Sequence, residues 1–369
     1  MPPFPVETDS EACSMELGFL DDPRLADEDK QLISDWVEAG SPEGDPATAV
    51  DAPMHAPREL EDYDVELPIQ EDFLVDGDRD IYRCFRIPLS LQQDVWLTGM
   101  QILPGNDAVV HHVLVWTDPD DSSAGQAGAD GSYGCSGFPD IFPTELAGAW
   151  APGGQPPEFP QGTGMPLSAG SSLVMNIHYH PTGTSTERDR TRIRLRWDEQ
   201  PPEHEAKFSL LDLPFGSMLQ EGPADEGWLP EFKIPAGATA HTETSEAFLP
   251  PLLNGDMQIF TVGPHMHYLG TEMLVTLDRG NQGEQCLLHT PDFRFDWQSA
   301  FAYDPSTGDL PLWRAGDNVR VQCTYNNSGT NPYLPLHLEA RGVDAPQDVG
   351  WGEETGDEMC MAIVGLILP

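Results

Sequence analysis

Six of the eleven histidines stand in three close pairs: His111 with His112, His178 with His180, and His265 with His267. Imidazole is the commonest nitrogen ligand for copper and zinc, so three pairs in one chain point to metal chemistry. The third pair lies in Gly263-Pro264-His265-Met266-His267-Tyr268-Leu269-Gly270, between Val262 and the apolar run Met273-Leu274-Val275-Thr276-Leu277. On a strand, residues i and i+2 share a face, so His265 and His267 would present two imidazoles side by side. Two imidazoles alone hold a metal weakly. Further ligands must come from His111-His112, His178-Tyr179-His180, or Met359 beside Cys360. Thioether sulfur favours Cu(I) over zinc or a hard cation. Singly, such a histidine or methionine is an ordinary core residue. It is the recurrence of the pairs inside apolar strands that points beyond packing. No carboxylate stands at a zinc-hydrolase spacing such as HExxH.

The elements that carry these residues read as strands. Alternation or apolar runs mark residues 80–89, 109–116, 171–180, 191–197, 258–262, 293–298, 319–325 and 359–368, the last expected to be central in its sheet. The 35 glycines and 36 prolines punctuate these runs and form no low-complexity tract. Residues 117–136 form a long Gly/Asp/Ser loop containing Cys135. One helix is expected, over 27–40, with Leu32, Ile33, Trp36 and Val37 as its apolar face and acids in its first turn. The fold class is all-β: two tandem antiparallel β-sandwich (jelly-roll-like) domains with a short helical N-terminal segment. Neighbours His111 and His112 face opposite sides of an ideal strand, so a shared metal requires a bulge or strand end to re-aim one. The same period puts His180 on the face of His178.

The net charge of −44, from 62 acids against 18 bases, argues against nucleic acid or anionic lipid as partner. No run of apolar residues is long enough to span a membrane as a helix. Six widely spaced cysteines without a CxxC pair fit disulfides and an oxidising compartment. Residues 1–20 lack the basic start and apolar core of an export signal, so a periplasmic or extracellular protein is expected to begin inside a longer parent. The expected division is 1–46, a linker at 47–60, a first domain at 61–200 and a second at 201–369.

His-His in an apolar strand, then His178-Tyr179, then His265-x-His267-x-Leu269-Gly270, then Asp357-Glu358-Met359-Cys360, in that order, resembles the copper type II, ascorbate-dependent monooxygenases. This is the family of peptidylglycine α-hydroxylating monooxygenase and dopamine β-monooxygenase, and the resemblance covers residues 60–369. It implies two copper ions, one per sandwich. The electron-transfer copper would take His111, His112 and His178, and the oxygen-binding copper His265, His267 and Met359; His180 falls outside the ligand set. It implies hydroxylation of a small-molecule C–H bond by O2, with ascorbate or another one-electron donor. It also implies disulfides Cys84–Cys135 and Cys323–Cys360; Cys13 and Cys286 have no counterpart and are expected free. Ala149-Trp150-Ala151-Pro152-Gly153 and residues 293–303 are similar to further family stretches, for which packing roles are expected.

The sequence departs from the peptide-amidating members at the substrate. Where they carry a carboxylate-binding Arg it has Gly263, and Met361 and Ile363 replace their Asn and Tyr. Peptidylglycine is therefore not expected, and the pocket beside Met359 reads as apolar. At the N-terminus, Met1-Pro2-Pro3 and Trp36-Val37-Glu38-Ala39-Gly40-Ser41-Pro42-Glu43-Gly44-Asp45 resemble the C-terminal end of a c-type cytochrome domain, without the CxxCH that attaches haem. This implies a cytochrome partner in the parent chain; the plainer reading is an N-terminal arm with one helix. Two functions compete with the monooxygenase: a non-catalytic copper-binding or electron-transfer protein, and a structural β-sandwich with incidental histidines.

Overall fold

The computed structural model describes residues 6–22, 24–45, 47, 59–152, 154, 159–211, 217–248 and 255–369. Met1-Pro2-Pro3, most of the expected linker and Gly153 lie outside them. The fold is all-β and sandwich-like, with two α-helices among the described residues. One nine-stranded sheet runs through the molecule. Its order is Val65–Pro68, Arg192–Asp198, Val95–Leu103, Thr163–Leu167, His204–Leu211, Met361–Ile367, Met257–His265 and Phe301–Ala302, with Leu312–Trp313 also on Met257–His265. Its strands pair antiparallel except where His204 and Glu205 meet Thr163 and Gly164 in parallel.

Two five-stranded sheets cover this long sheet. Ser132–Gly134, Ile81–Pro88, Ser172–Tyr179, Val110–Asp118 and Leu146–Trp150 form the first, and its buried face packs with Val95–Leu103 and Arg192–Asp198 in one core. Ser217–Leu219, His241–Phe248, Asn318–Tyr325, Gly270–Asp278 and Glu284–Thr290 form the second, which packs on Met257–His265 and Met361–Ile367. Met361–Ile367 is central, between His204–Leu211 and Met257–His265, as an apolar strand buried on both faces must be. Cys84–Cys135 and Cys323–Cys360 are bonded.

Several expectations are corrected. Cys13 and Cys286 are not free; they form a third disulfide. The cytochrome remnant finds no support: Val6, Leu17 and Phe19 are buried in the second core, and Phe19 bridges Tyr303. The helix forms at Asp27–Glu38, but the face of Leu32, Ile33, Trp36 and Val37 is exposed, and no helix residue is buried. Residues 293–298 are not a strand. Phe295–Trp297 is a 3-10 turn, closed by Gln298 Nε2 donating to the Phe295 carbonyl. The 117–136 loop contains the short strand Ser132–Gly134. A second helix, Leu334–Arg341, went unread because Pro332 and Pro335 break the pattern; Pro335 is tolerated in its first turn, where no intrahelical donor is needed.

The buried arm and the exposed helix separate in a stability test. Phe19→Ala removes a ring stacked 5.3 Å from Tyr303 and should cost about 3–5 kcal/mol. Trp36→Ala should stay within about 0.5 kcal/mol. Urea midpoints of the two variants check this; equal losses would mean that the arm is not part of the core.

Candidate metal centre

The first imidazole group is made by a bulge. In the pairing of Val110–Asp118 with Ser172–Tyr179, Val110 faces Tyr179 and His112 faces His178, so His111 is the extra residue. The bulge turns His111 to the side of His112, which a regular strand would forbid. His111 Nδ1 lies 3.2 Å from His112 Nδ1, and His178 Nδ1 lies 3.4 Å from the same atom. Three ring nitrogens thus fall within 4.8 Å of one another. Where no proton sits on these nitrogens their lone pairs converge, and a cation among them would satisfy all three.

Asp80 supports this group. His178 Nε2 is 3.1 Å from Asp80 Oδ2, an ion-pair distance without good hydrogen-bond alignment. A proton on Nε2 leaves the lone pair on Nδ1, where the cluster needs it. Asp80 also binds His180 Nδ1 at 2.7 Å and accepts from the Thr355 hydroxyl at 2.9 Å. Burial alone would raise the Asp80 pKa, but His178, His180 and Thr355 hold it far below the usual carboxylate range. Tyr82 stacks on His178 at 4.3 Å between centroids. His180 therefore does share the side of His178, but as a partner of Asp80 with its ring largely exposed.

The second group is built differently. His265 ends its strand, while His267 is not on a strand; it lies in the turn before Gly270. The i, i+2 expectation is corrected there. The chain turns because both oxygens of the buried Glu358 carboxylate accept backbone N–H groups, from His267 at 2.9 Å and Leu269 at 2.6 Å. The two rings still lie 5.2 Å apart, nearly perpendicular. His265 Nδ1 donates to Gln298 Oε1 at 2.5 Å, and His267 Nδ1 donates to the Asp357 carbonyl at 3.1 Å. Gln298 Nε2 donates to the Met266 and Phe295 carbonyls, which fixes the amide orientation. Both acceptors keep the proton on Nδ1 and leave Nε2 as the free ligand atom of each ring.

Met359 follows Glu358 directly, is buried, and has its carbonyl held by the Tyr325 hydroxyl at 2.8 Å. The next residue, Cys360, is bonded to Cys323. Phe295 lies between the two groups. Its ring stacks on His111 at 5.0 Å and 19°, and meets His267 edge-on at 6.5 Å and 85°.

Burial favours the neutral form of four of these imidazoles. It lowers His265 to about 4, against Gln298, which raises it; it lowers His267 and His111 to about 3, and His112 well below the usual value. Burial likewise pushes Glu358 up to about 8, against its backbone donors. Asp80, Gln298 and Glu358 were not read from the sequence as site residues. Glu358 and Gln298 lay within stretches already singled out, but Asp80 is one acid among many, with no signal of its own. A cavity of about 510 Å3, lined by Trp96, His204, Lys207, Met257 and Pro369 among others, contains none of these residues.

No family model matches the chain. Dopamine beta-hydroxylase of Rattus norvegicus is 24% identical to it over 285 residues, covering 73% of this chain and 42% of that protein. The chain thus spans less than half the length of this relative, and the likeness to a hydroxylase is distant. Among solved structures, the major capsid protein P2 of bacteriophage PM2 aligns at 8% identity and a TM-score of 0.31, over 82% of this chain and 97% of that one. Broad Bean Stain Virus aligns at 5% and 0.28, over 88% and 94%. Likenesses this weak carry no argument. No described helix is long and apolar enough to cross a membrane.

The lowered imidazole pKa values fix a pH dependence. Above 6.5 these histidines are neutral both folded and unfolded; below it the unfolded chain takes up protons that the folded one refuses. Stability of the metal-free protein should therefore fall as pH drops from 6.5 towards 4. Each such histidine contributes a slope of about 1.4 kcal/mol per pH unit. Urea unfolding at several pH values, compared between wild type and His267→Gln, isolates one of them. Identical slopes in the two proteins would refute the assignment.

Proposed function

We propose that the chain is a copper-dependent monooxygenase that hydroxylates a C–H bond of a small molecule with O2 and a one-electron donor such as ascorbate. The observation that carries this is a pair of imidazole groups, three ring nitrogens converging in the first and two rings anchored through Nδ1 in the second, in a chain distantly similar to a hydroxylase. His111, His112 and His178 hold one ion. His265, His267 and Met359 hold the other. Bound copper supplies O2 activation at the second group and an electron store at the first.

The protein's own work is positional. Asp80, Gln298 and the Asp357 carbonyl set which nitrogen of His178, His265 and His267 faces the metal. Glu358 fixes the turn that carries His267, and it ties Met359 to that turn. The thioether is the ligand that favours Cu(I) and so equips the second group for O2. All-nitrogen ligation at the first group tolerates either oxidation state, as an electron store requires.

The substrate end is apolar. In the register of Met257–His265 with Met361–Ile367, His265 faces Met361 and Gly263 faces Ile363. A Cβ at Gly263 would lie 3.3 Å from Ala300 Cα, so a long side chain there must displace backbone. No guanidinium reaches out from this position to clamp a substrate carboxylate. The substrate class is therefore a small molecule recognised by apolar contact near the hydroxylated carbon. Three disulfides support a location in an oxidising compartment, periplasmic or extracellular. In this reading 61–200 carries the first copper and 201–369 the second.

Copper analysis and Cu(I) X-ray absorption on wild type and Met359→Ala test the reading. Two coppers per chain, with a sulfur scatterer that disappears in the variant, is the expected result. Ascorbate-driven O2 uptake that His265→Ala abolishes should accompany it. Two coppers without O2 uptake in any substrate screen would leave a copper-binding or electron-transfer protein, and no copper would leave a structural one.

A further inference from the structure

Both imidazole groups converge on one apolar side chain. Phe295 is buried, its ring face covers His111, and its edge meets His267. Tyr268, next to His267, closes on it at 4.4 Å. The ring is held from the second group's side. Its 3-10 turn ends at Gln298, which bonds His265, Met266 and Phe295 itself. Asp296 within the turn accepts from the Tyr333 hydroxyl at 2.9 Å. Phe295 thus belongs to the second group by attachment and to the first by contact.

We propose that Phe295 is the partition that keeps the two imidazole groups as two separate one-metal sites. The inference rests on the copper reading. A phenyl ring has no lone pair for a metal and excludes water from the space it fills. While it stands there, its ring fills the space between His111 and His267, so neither imidazole can swing across to the other group. Its stacking also fixes the plane of the His111 ring, and so the direction of the Nδ1 that the first group uses. Without the ring, His111 has room to rotate towards His267, and the two groups can share a ligand. Phe295 touches candidate ligands but would hold no metal itself, so it is a positioning residue.

The test compares copper by metal analysis with copper by EPR integration in the fully oxidised protein. In the wild type all bound copper should be EPR-visible, as two signals without exchange coupling. In Phe295→Ala most of the bound copper should become EPR-silent, through exchange across a shared ligand. Phe295→Leu fills the space with apolar atoms and should behave as the wild type does. A Phe295→Ala protein with two fully visible coppers and an unchanged spectrum would overturn the partition while leaving the monooxygenase reading intact. Should that variant fail to fold, the wild type still decides: bound copper that is largely EPR-silent overturns the partition. A wild type that binds no copper overturns both readings.

Discussion

Every buried imidazole must satisfy one nitrogen before it can offer the other. This constraint organises the structure. A polar group taken from water without a partner costs roughly 1–3 kcal/mol, and five of these rings crowd into one region. Three of them have supports from different parts of the chain: Asp80 for His178, Gln298 for His265, and the Asp357 carbonyl for His267. The converging Nδ1 atoms of His111 and His112 have mainly each other and His178. The arrangement is therefore unequal. The second group is self-sufficient without a cation, whereas the first gains most from one.

The supports also connect the halves. Asp80 touches His178 on one side and Thr355 on the other, and the Tyr82 ring that stacks on His178 has its hydroxyl 3.4 Å from the same threonine. Two residues later, the Asp357 carbonyl receives His267 Nδ1; one residue further, Glu358 holds the His267 turn. A shift of the 355–358 segment is thus felt at both groups. The nine-stranded sheet adds stiffness, since it passes from the first half to the second without a break at the Thr163–Leu167 and His204–Leu211 pair.

What the sequence made legible follows from which interactions are local. Strand alternation and apolar runs depend on nearest neighbours, so Ile81–Pro88, Ser172–Tyr179, Asn318–Tyr325 and the central Met361–Ile367 could be read directly. The demand for a bulge at His111 was also readable, because two adjacent residues cannot face one way on a strand without it. The His267 turn was not, since its cause is Glu358, far along the chain. The same holds for residues 293–298, which alternate like a strand but spend their side chains on His111, His265 and Tyr333. The Cys13–Cys286 pairing, across most of the chain, left no local trace at all.

The departures from regular strand at the candidate centre share a cause. A regular strand repeats side-chain directions every two residues, so it can aim two imidazoles at one point only by breaking its own period. His111 breaks it by insertion, and His267 by leaving the strand. Each break removes ladder hydrogen bonds, and each is compensated by a polar group that periodicity does not predict. For the first group this is the ring of three nitrogens backed by Asp80; for the second it is Glu358, a carboxylate buried deeply enough that burial pushes its pKa up to about 8. A plain β-sandwich gains nothing from a buried acid beside a broken strand, because a carboxylate taken out of water is costly and an apolar residue with a regular ladder is not. Its presence beside His267 and Met359 is intelligible only if the turn it holds has work to do.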